Sequence, residues 1–396
     1  MTQHPSEDLT PDVSVVIPCL NEARSLAICI DKARAALRGC GVHGEIVVSD
    51  NGSTDGSIEI AHEHGARVVH AALRGYGHAL RTGIEQAHGR FIVMGDADDS
   101  YDFGELPRFV EKWREGYEIV MGNRFHGRIE PGAMPWHHRY IGNPLLSGLL
   151  NLMFRSGVGD AHCGMRGFTK DVYKRLDLRT TGMEFASEFV IKAARIDARM
   201  TEIPVTLWPD QRGRPPHLRS FPDGWRHLRF MLLYAPNWLF IAPGAVLAAT
   251  GLVLVLWLLP GPRRIGGVEF DIHTMFFGMI FVLLGVQVVS IGIFAKVFSH
   301  SERFAPAGRS LEGLFRRVTL ETGLAVGAVL AVVGLLGDIA VFRQWSAGNF
   351  GEFHQLRGVI FWSMWLFLGV QAVFSSFFLS MLGISRGTFV GDYDRP

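Results

Sequence analysis

The sequence predicts two architectures in series: an α/β domain with a mostly parallel sheet, then an α-helical domain of four transmembrane helices. Residues 1–230 alternate short β-branched apolar runs with helix-like stretches, the pattern of a parallel sheet covered on both faces. Residues 231–385 hold four apolar runs, each about twenty residues long, the length that spans a hydrocarbon core. Composition agrees. Charged residues are 19% and apolar ones 48% of 396, whereas soluble domains average about a quarter charged. A purely soluble enzyme, a disordered chain and a disulfide scaffold are excluded. The net charge of +1 gives no global sign of nucleic-acid binding.

Taken in order, residues 1–12 are polar, include Pro5 and Pro11, and read as a loose tail without a signal peptide. Strands are expected at Val13–Pro18, Glu45–Asp50, Arg67–His70, Phe91–Gly95 and Glu118–Gly122. Helices are expected at Asn21–Leu37, Ser57–His64, Tyr76–Ala87 and Leu106–Glu115. Residues 124–230 are less regular. Within them Met134–Phe154 mixes aromatic, basic and apolar residues, which suits an amphipathic helix on a membrane surface better than a span. The segment 211–236 begins with a run rich in arginine (Arg212, Arg214, Arg219, Arg226 and Arg229) and precedes the first span, where basic residues favour the cytoplasmic side. The domains are therefore expected at 13–210 and 237–384, with tails at 1–12 and 385–396.

The four spans read as Trp238–Leu259, Met275–Phe298, Leu320–Phe342 and Val359–Leu382. The loop after the second carries Arg303, Arg309, Arg316 and Arg317. By the positive-inside rule that loop, the α/β domain and both termini share the cytosolic side of an integral membrane protein. Asp338 falls inside the third span, as a residue reaching the interface or as a polar contact within the bundle. Four cysteines, Cys19, Cys29, Cys40 and Cys163, show no paired spacing; in a cytosolic domain they would be free thiols.

Ligands bind beyond the carboxyl ends of strands in such sheets, and here the chemical residues follow the strands. Pro18, Asn21 and Glu22 follow the first, and Asp50 opens the NGSTDG turn after the second. Asp96 and Asp98 follow the fourth, and Arg124 follows the fifth. Two carboxylates one residue apart can face one hard cation, Mg²⁺ or Mn²⁺, which in turn binds diphosphate oxygens. Asp50 can accept hydrogen bonds from a base or ribose. Gly75-Tyr76-Gly77 opens a helix, where backbone N–H groups can approach a phosphate. Arginine suits an anionic phosphate. Glu184 and Glu188 lie four apart on one helix face, with a structural role the commoner reading. His62, His64, His137 and His138 have no convincing metal spacing.

Together VIPCLNE, EIVVSDNGSTDGS and RGYGHALRTGIEQAHGRFIVMGDADDS resemble the family 2 glycosyltransferases of the GT-A, Rossmann-like fold over about residues 13–210. With four following spans the chain is most similar within that family to polyprenyl-phosphate glycosyltransferases. The resemblance implies that Pro18, Asn21, Glu22 and Asp50 hold the nucleoside and that Asp96 and Asp98 bind Mg²⁺ or Mn²⁺ and the diphosphate. Ser100 stands where close relatives often have a ligating Gln. Arg124, with Arg139 and Asn143 of RYIGN, would hold the acceptor phosphate. Asp160, in Asp160-Ala161-His162-Cys163-Gly164-Met165-Arg166, would lie beside the sugar, and Arg212 and Arg214 would close over the diphosphate. The implied reaction is inverting transfer of a sugar from a UDP-glucose or GDP-mannose type donor to a polyprenyl phosphate. The implied partners are the donor, the lipid and the bilayer, with no nucleic acid and a possible tetramer. Two alternatives stand beside it: a glycolipid synthase acting on a lipid hydroxyl, with Asp160, Glu184 or Glu188 as base, and a non-catalytic sugar-nucleotide sensor or scaffold.

Overall fold

A computed structural model describes residues 11–211, 220–301 and 319–384. The chain divides into two compact units, Met1–Met231 and Leu232–Pro396.

The first unit is built on a seven-stranded sheet of order β3-β2-β1-β4-β6-β5-β7. Its strands are β1 (Val13–Cys19), β2 (Gly44–Asp50), β3 (Arg67–His70), β4 (Phe91–Met94), β5 (Ile119–Ile129), β6 (Arg166–Thr169) and β7 (Met200–Leu207). The five strands expected from the sequence are present. The strands β1 to β4 are parallel neighbours: Val13 pairs with Gly44 of β2 and Phe91 of β4, and Asp50 pairs with His70 of β3. The two further strands lie in the stretch that reads as irregular. One of them, β6, runs antiparallel to both β4 and β5, with Arg166 opposite Met94 and Met121. The other, β7, is parallel to β5.

Helices α1 (Leu26–Gly39), α2 (Ser57–Glu63), α3 (Tyr76–Gln86) and α4 (Leu106–Arg114) connect the parallel strands. Val13, Val15 and Ile17 of β1 point into one core with Leu26, Ile30, Phe91, Phe103 and Phe109. Val16 faces the opposite side, where Gly83 lets α3 approach: a Cβ there would lie 2.6 Å from Val16 Cγ1. The first helix starts later than its spacing predicts. Asn21 takes a left-handed conformation (φ 58°) and gives its side chain to the neighbouring loop, so residues 21–25 form a turn rather than helical backbone. Beyond β5, a π-helical turn (His138–Gly142) leads into α5 (Asn143–Phe154). Trp136, Tyr140, Ile141, Leu145 and Leu152 are exposed there, while Ser147 and Leu150 are buried. Helices α6 (Lys170–Leu176), α7 (Phe185–Arg195) and α8 (Ser220–Tyr234) complete the set before the spans.

The second unit contains α9 (Ala242–Leu258), α10 (Ile272–Ser301), α11 (Leu320–Ala347) and α12 (Leu356–Ile384). Its four membrane-length segments are Asn237–Leu258, Ile272–Phe298, Leu320–Ala347 and Leu356–Leu382, within a few residues of the expected spans. Glycines let the helices pack closely, as in membrane bundles generally. A Cβ on Gly251 would lie 2.4 Å from the Gly278 carbonyl, and one on Gly369 2.3 Å from the Ala331 nitrogen. Ser363 Oγ donates to Asp338 Oδ2 at 3.0 Å and Gln371 to Gln287 at 2.6 Å, so Asp338 makes a polar contact inside the bundle. Gly251→Val forces α9 from α10. It should lower the melting temperature of the detergent-solubilised protein by several degrees, whereas Val253→Ala, at an exposed position on the same helix, should not; a thermal-shift measurement checks both.

Candidate active site

The carboxyl ends of β1 and β2 carry two loops that hold each other. Asn21 Oδ1 accepts from the Thr54 N–H (2.7 Å), and the Asn21 N–H donates to Ser53 Oγ (2.9 Å). The Glu22 N–H donates to Ser57 Oγ (2.9 Å), and the Ala23 N–H to Asp55 (3.0 Å). Asp50, 3% exposed, accepts the N–H groups of Gly52 and Ser53 at 3.0 Å each, the self-capping turn aspartates favour. Burial alone would raise its pKa; the Ser53 and Gly52 hydrogen bonds outweigh that and hold it below the usual carboxylate range. Asp50 is thus a fixed, ionised acceptor at the sheet edge. Pro18 precedes this edge on β1, opposite Ser49.

The loop after β4 is tied to both neighbours. Ser25 Oγ donates to the Ala97 carbonyl (2.7 Å), and Lys32 Nζ to Asp99 (2.8 Å). Asp99 sits at φ 61°, so α1 secures the sharpest point of the aspartate loop. Tyr76 Oη donates to Asp96 Oδ1 (3.0 Å). Burial and the Asp96 charge push that phenol well above its ordinary pKa, so it stays a donor. Asn51 fixes the approach to Tyr76, accepting from the Gly75 N–H and donating to the Leu73 carbonyl, both at 2.8 Å. Gly75 (φ 138°) passes so close to the Thr181 carbonyl, 2.4 Å from a hypothetical Cβ, that no other residue fits. Asp98 Oδ1 accepts from the Ser100 N–H (3.0 Å) and hydroxyl (2.6 Å). Ser100 therefore orients Asp98, a role the sequence reading did not foresee.

The reversed strand β6 delivers residues 160–166 to this edge. Gly164 lies against Asp96: a Cβ there would be 2.6 Å from Oδ2. The Gly164 N–H donates to Tyr101 Oη at 2.9 Å. Asp160 is completely buried and grips Arg124 with two guanidinium bonds of 2.7 Å and the Arg124 N–H at 3.1 Å. Burial opposes the Arg124 charge, but Tyr101 and Asp160 more than offset it and raise its pKa well above the usual value. Glu202 of β7 holds the same loop by accepting the Gly159 and Asp160 N–H groups (2.9 and 3.1 Å). Arg166 is 1% exposed and donates to the Cys163, Ala161 and Ala186 carbonyls.

Of the remaining expected residues, Arg139 is half-buried and stacks over Tyr140. Asn143 Nδ2 lies 3.5 Å from Met134 Sδ. Burial, His137 and then the Arg124 charge lower the pKa of His138. Arg212 and Arg214 lie outside the described residues. Glu188 is buried and accepts from the Arg179 and Thr180 N–H groups, the Thr180 hydroxyl and Lys192 (2.7 Å); it is a structural anchor. Glu184 starts α7.

The candidate donor set for a metal is Asp96 and Asp98. Among the described residues, no group of three or more His, Cys, Asp or Glu side chains gathers as a metal cage. Two carboxylates with substrate phosphates and water completing the shell is how Mg²⁺ is usually held, so the residues fit a metal that arrives with a diphosphate. Tyr76, Lys32, Asn51, Tyr101 and Glu202 were missed from the sequence. The signals available were Tyr76 between two glycines and Glu202 alone in a strand-like run. Asp160→Asn would leave the buried Arg124 guanidinium without its counter-charge, a loss of about 3–5 kcal/mol. Equilibrium unfolding of the full chain should register it, while Asp177→Asn, at a surface pair, should cost under about 1 kcal/mol.

Comparison with known proteins identifies the family. Residues 14–177 match the glycosyl transferase family 2 domain, and residues 293–383 match the glycosyltransferase family 2 C-terminal transmembrane region. A low-salt glycan biosynthesis hexosyltransferase, Agl6, of Haloferax volcanii is 41% identical over 95% of this chain and 90% of its own. An undecaprenyl-phosphate 4-deoxy-4-formamido-L-arabinose transferase of Pectobacterium atrosepticum is 30% identical over 72% of this chain and 87% of its own. A crystal structure of glucosyl-3-phosphoglycerate synthase from Mycobacterium tuberculosis, with Mn²⁺, UDP and glucosyl-3-phosphoglycerate, covers 56% of this chain and 78% of its own at 20% identity and a TM-score of 0.44. The chain belongs to the family 2 glycosyltransferases, with a GT-A catalytic domain and that family's C-terminal membrane region.

Proposed function

We propose that the protein transfers a sugar, with inversion, from a nucleotide-sugar of the UDP-glucose or GDP-mannose type to a polyprenyl phosphate. The observation that carries this is the linked edge of β2, β1 and β4, where Asp50, Asn21 and the Asp96–Asp98 pair are joined through Ser25, Asn51 and Tyr76. The hexosyltransferase and undecaprenyl-phosphate transferase names of its relatives support the reaction class.

In this reading Pro18, Asn21, Glu22 and Asp50 bind the nucleoside. Asp96 and Asp98 hold Mg²⁺ or Mn²⁺, which supplies positive charge to the departing diphosphate when bound. Tyr76 and Ser100 hold the two carboxylates in place, so the site is organised before substrate enters. Arg139 and Asn143 bind the acceptor phosphate. Arg124, aligned by Asp160, adds a fixed positive charge beside them. Arg212 and Arg214 belong to the basic loop assigned to the diphosphate. The exposed Trp136, Tyr140 and Ile141 suit the membrane interface, where aromatic side chains concentrate, and bring Arg139 to headgroup level. The catalytic domain and both termini then face the cytosol, the side of the basic loops, and the proposed domains remain 13–210 and 237–384.

A phosphate acceptor is already ionised at neutral pH, its second pKa near ~6, so it needs no dedicated base. Two of the three candidate bases agree with this. Asp160 is pinned to Arg124 and Glu188 is saturated by donors, so neither is placed to take a proton from a lipid hydroxyl. The test is transfer from a panel of radiolabelled nucleotide-sugars to undecaprenyl or dolichyl phosphate with Mg²⁺ or Mn²⁺. A labelled lipid that releases sugar in mild acid is expected, and Arg139→Ala should raise the acceptor KM about tenfold or more, the loss typical of a charged hydrogen bond. An acid-stable labelled lipid would overturn the phosphate acceptor and favour a hydroxyl.

A further inference from the structure

We propose that His70 reads the nucleobase together with Asp50, and so decides which nucleotide-sugar the enzyme accepts. This rests on the reading of Asp50 as the nucleoside-binding carboxylate. Strand register makes Asp50 and His70 direct partners at the ends of β2 and β3, and His70 Nδ1 lies 3.4 Å from Asp50 Oδ2. The two side chains differ sharply in exposure: 4% for Asp50 and 67% for His70. Asp50 is sunk in the edge, with backbone N–H groups on both oxygens, and the imidazole stands beside it in solvent. A planar group that donates to Asp50 therefore meets the imidazole next.

The chemistry explains why this second contact discriminates. Uracil and guanine each offer a ring N–H that a carboxylate can accept, so Asp50 alone separates them poorly. They differ in what flanks that N–H. Uracil has a carbonyl on each side, whereas guanine has a carbonyl on one side and an amino group on the other. A carboxylate oxygen only accepts, so the contact with Asp50 places the histidine hydrogen on Nδ1. The far nitrogen, Nε2, is then an acceptor in the neutral ring and a donor in the charged one. As an acceptor it complements the guanine amino group; as a donor it complements a carbonyl. A site built to bond one such group rejects an analogue that leaves it unpaired. The loop beyond β3 is stiff enough to hold this arrangement: the Ala71 N–H donates to the Asp50 carbonyl (2.8 Å), and Asn51 fixes Leu73 and Gly75.

The test is calorimetric titration of the full-length protein in detergent with UDP and with GDP, each with Mg²⁺, for the native chain, His70→Ala and His70→Gln. His70→Ala should weaken the preferred nucleotide about three- to tenfold, the range for one hydrogen bond, and leave the other nearly unchanged. The ratio of the two dissociation constants should move toward one, and His70→Gln, which keeps a donor and an acceptor, should retain part of the preference. A preference for GDP that His70→Ala removes assigns Nε2 as acceptor of the guanine amino group, and a preference for UDP that it removes assigns Nε2 as donor to a uracil carbonyl; a native chain that binds both nucleotides alike would overturn the inference. Equal weakening of both nucleotides would mean that His70 only orients Asp50 and would overturn it, as would no change in either. If the native chain binds neither nucleotide, the donor reading itself fails, and the inference with it. An unchanged melting temperature for both variants separates these outcomes from misfolding.

Discussion

One reversed strand decides which residues can meet in this protein. If β6 ran parallel to its neighbours, the segment before it would enter the sheet at the opposite edge. Because it is antiparallel, Arg166 lies opposite the last residue of β4, and residues 160–164 arrive where Asp96 and Arg124 already stand. Everything specific about that side of the site follows. Gly164 must lack a side chain beside Asp96, Tyr101 must hold its N–H, and Asp160 must be sealed against Arg124. Burying that pair is costly unless every lone pair is used, and here the backbone N–H of Arg124 itself supplies a third bond.

The remaining edge is organised differently, by short side chains rather than by charge. Ser25, Asn51, Ser53 and Ser57 join the loops after β1, β2, β3 and β4. Each bond contributes modestly, but together they fix carboxylates that repel one another. The Lys32 contact with Asp99 adds a local counter-charge next to the aspartate pair. The result is an anionic edge held by short side chains, with the Arg124 guanidinium fixed by Asp160 on the segment that β6 delivers.

Much of this was legible in the sequence where the chain uses strong patterns. VSVVIP and FIVM are buried on both faces and read as continuous β-branched runs. The four spans are long enough that composition alone finds them. The short strand β6 was not legible, because RGFT opens on a buried arginine and a glycine and has neither alternation nor length. Strand β7 alternates, but Pro204 interrupts it. The early helix boundary failed at Asn21, where a side-chain bond overrides helical spacing. In the site, Asp50, Asp96, Asp98 and Arg124 stood out because they follow strands, whereas Tyr76, Lys32 and Glu202 act through contacts 20, 67 and over 40 residues away. Asp160 and Arg124 were each seen, but their ion pair depends on the strand that was not.

The central claim is that Asp96 and Asp98 form a metal site completed by the donor diphosphate at an edge already organised by Tyr76 and Ser100. The most direct measurement is the affinity of the full-length protein for a nucleoside diphosphate, with and without Mn²⁺, in the native chain and in the Asp96→Asn/Asp98→Asn variant. The account predicts that Mn²⁺ tightens nucleotide binding at least about tenfold in the native chain, the scale of a charge-assisted contact, and that the gain disappears in the variant. An equal gain in both proteins, or none in the native chain, would contradict it.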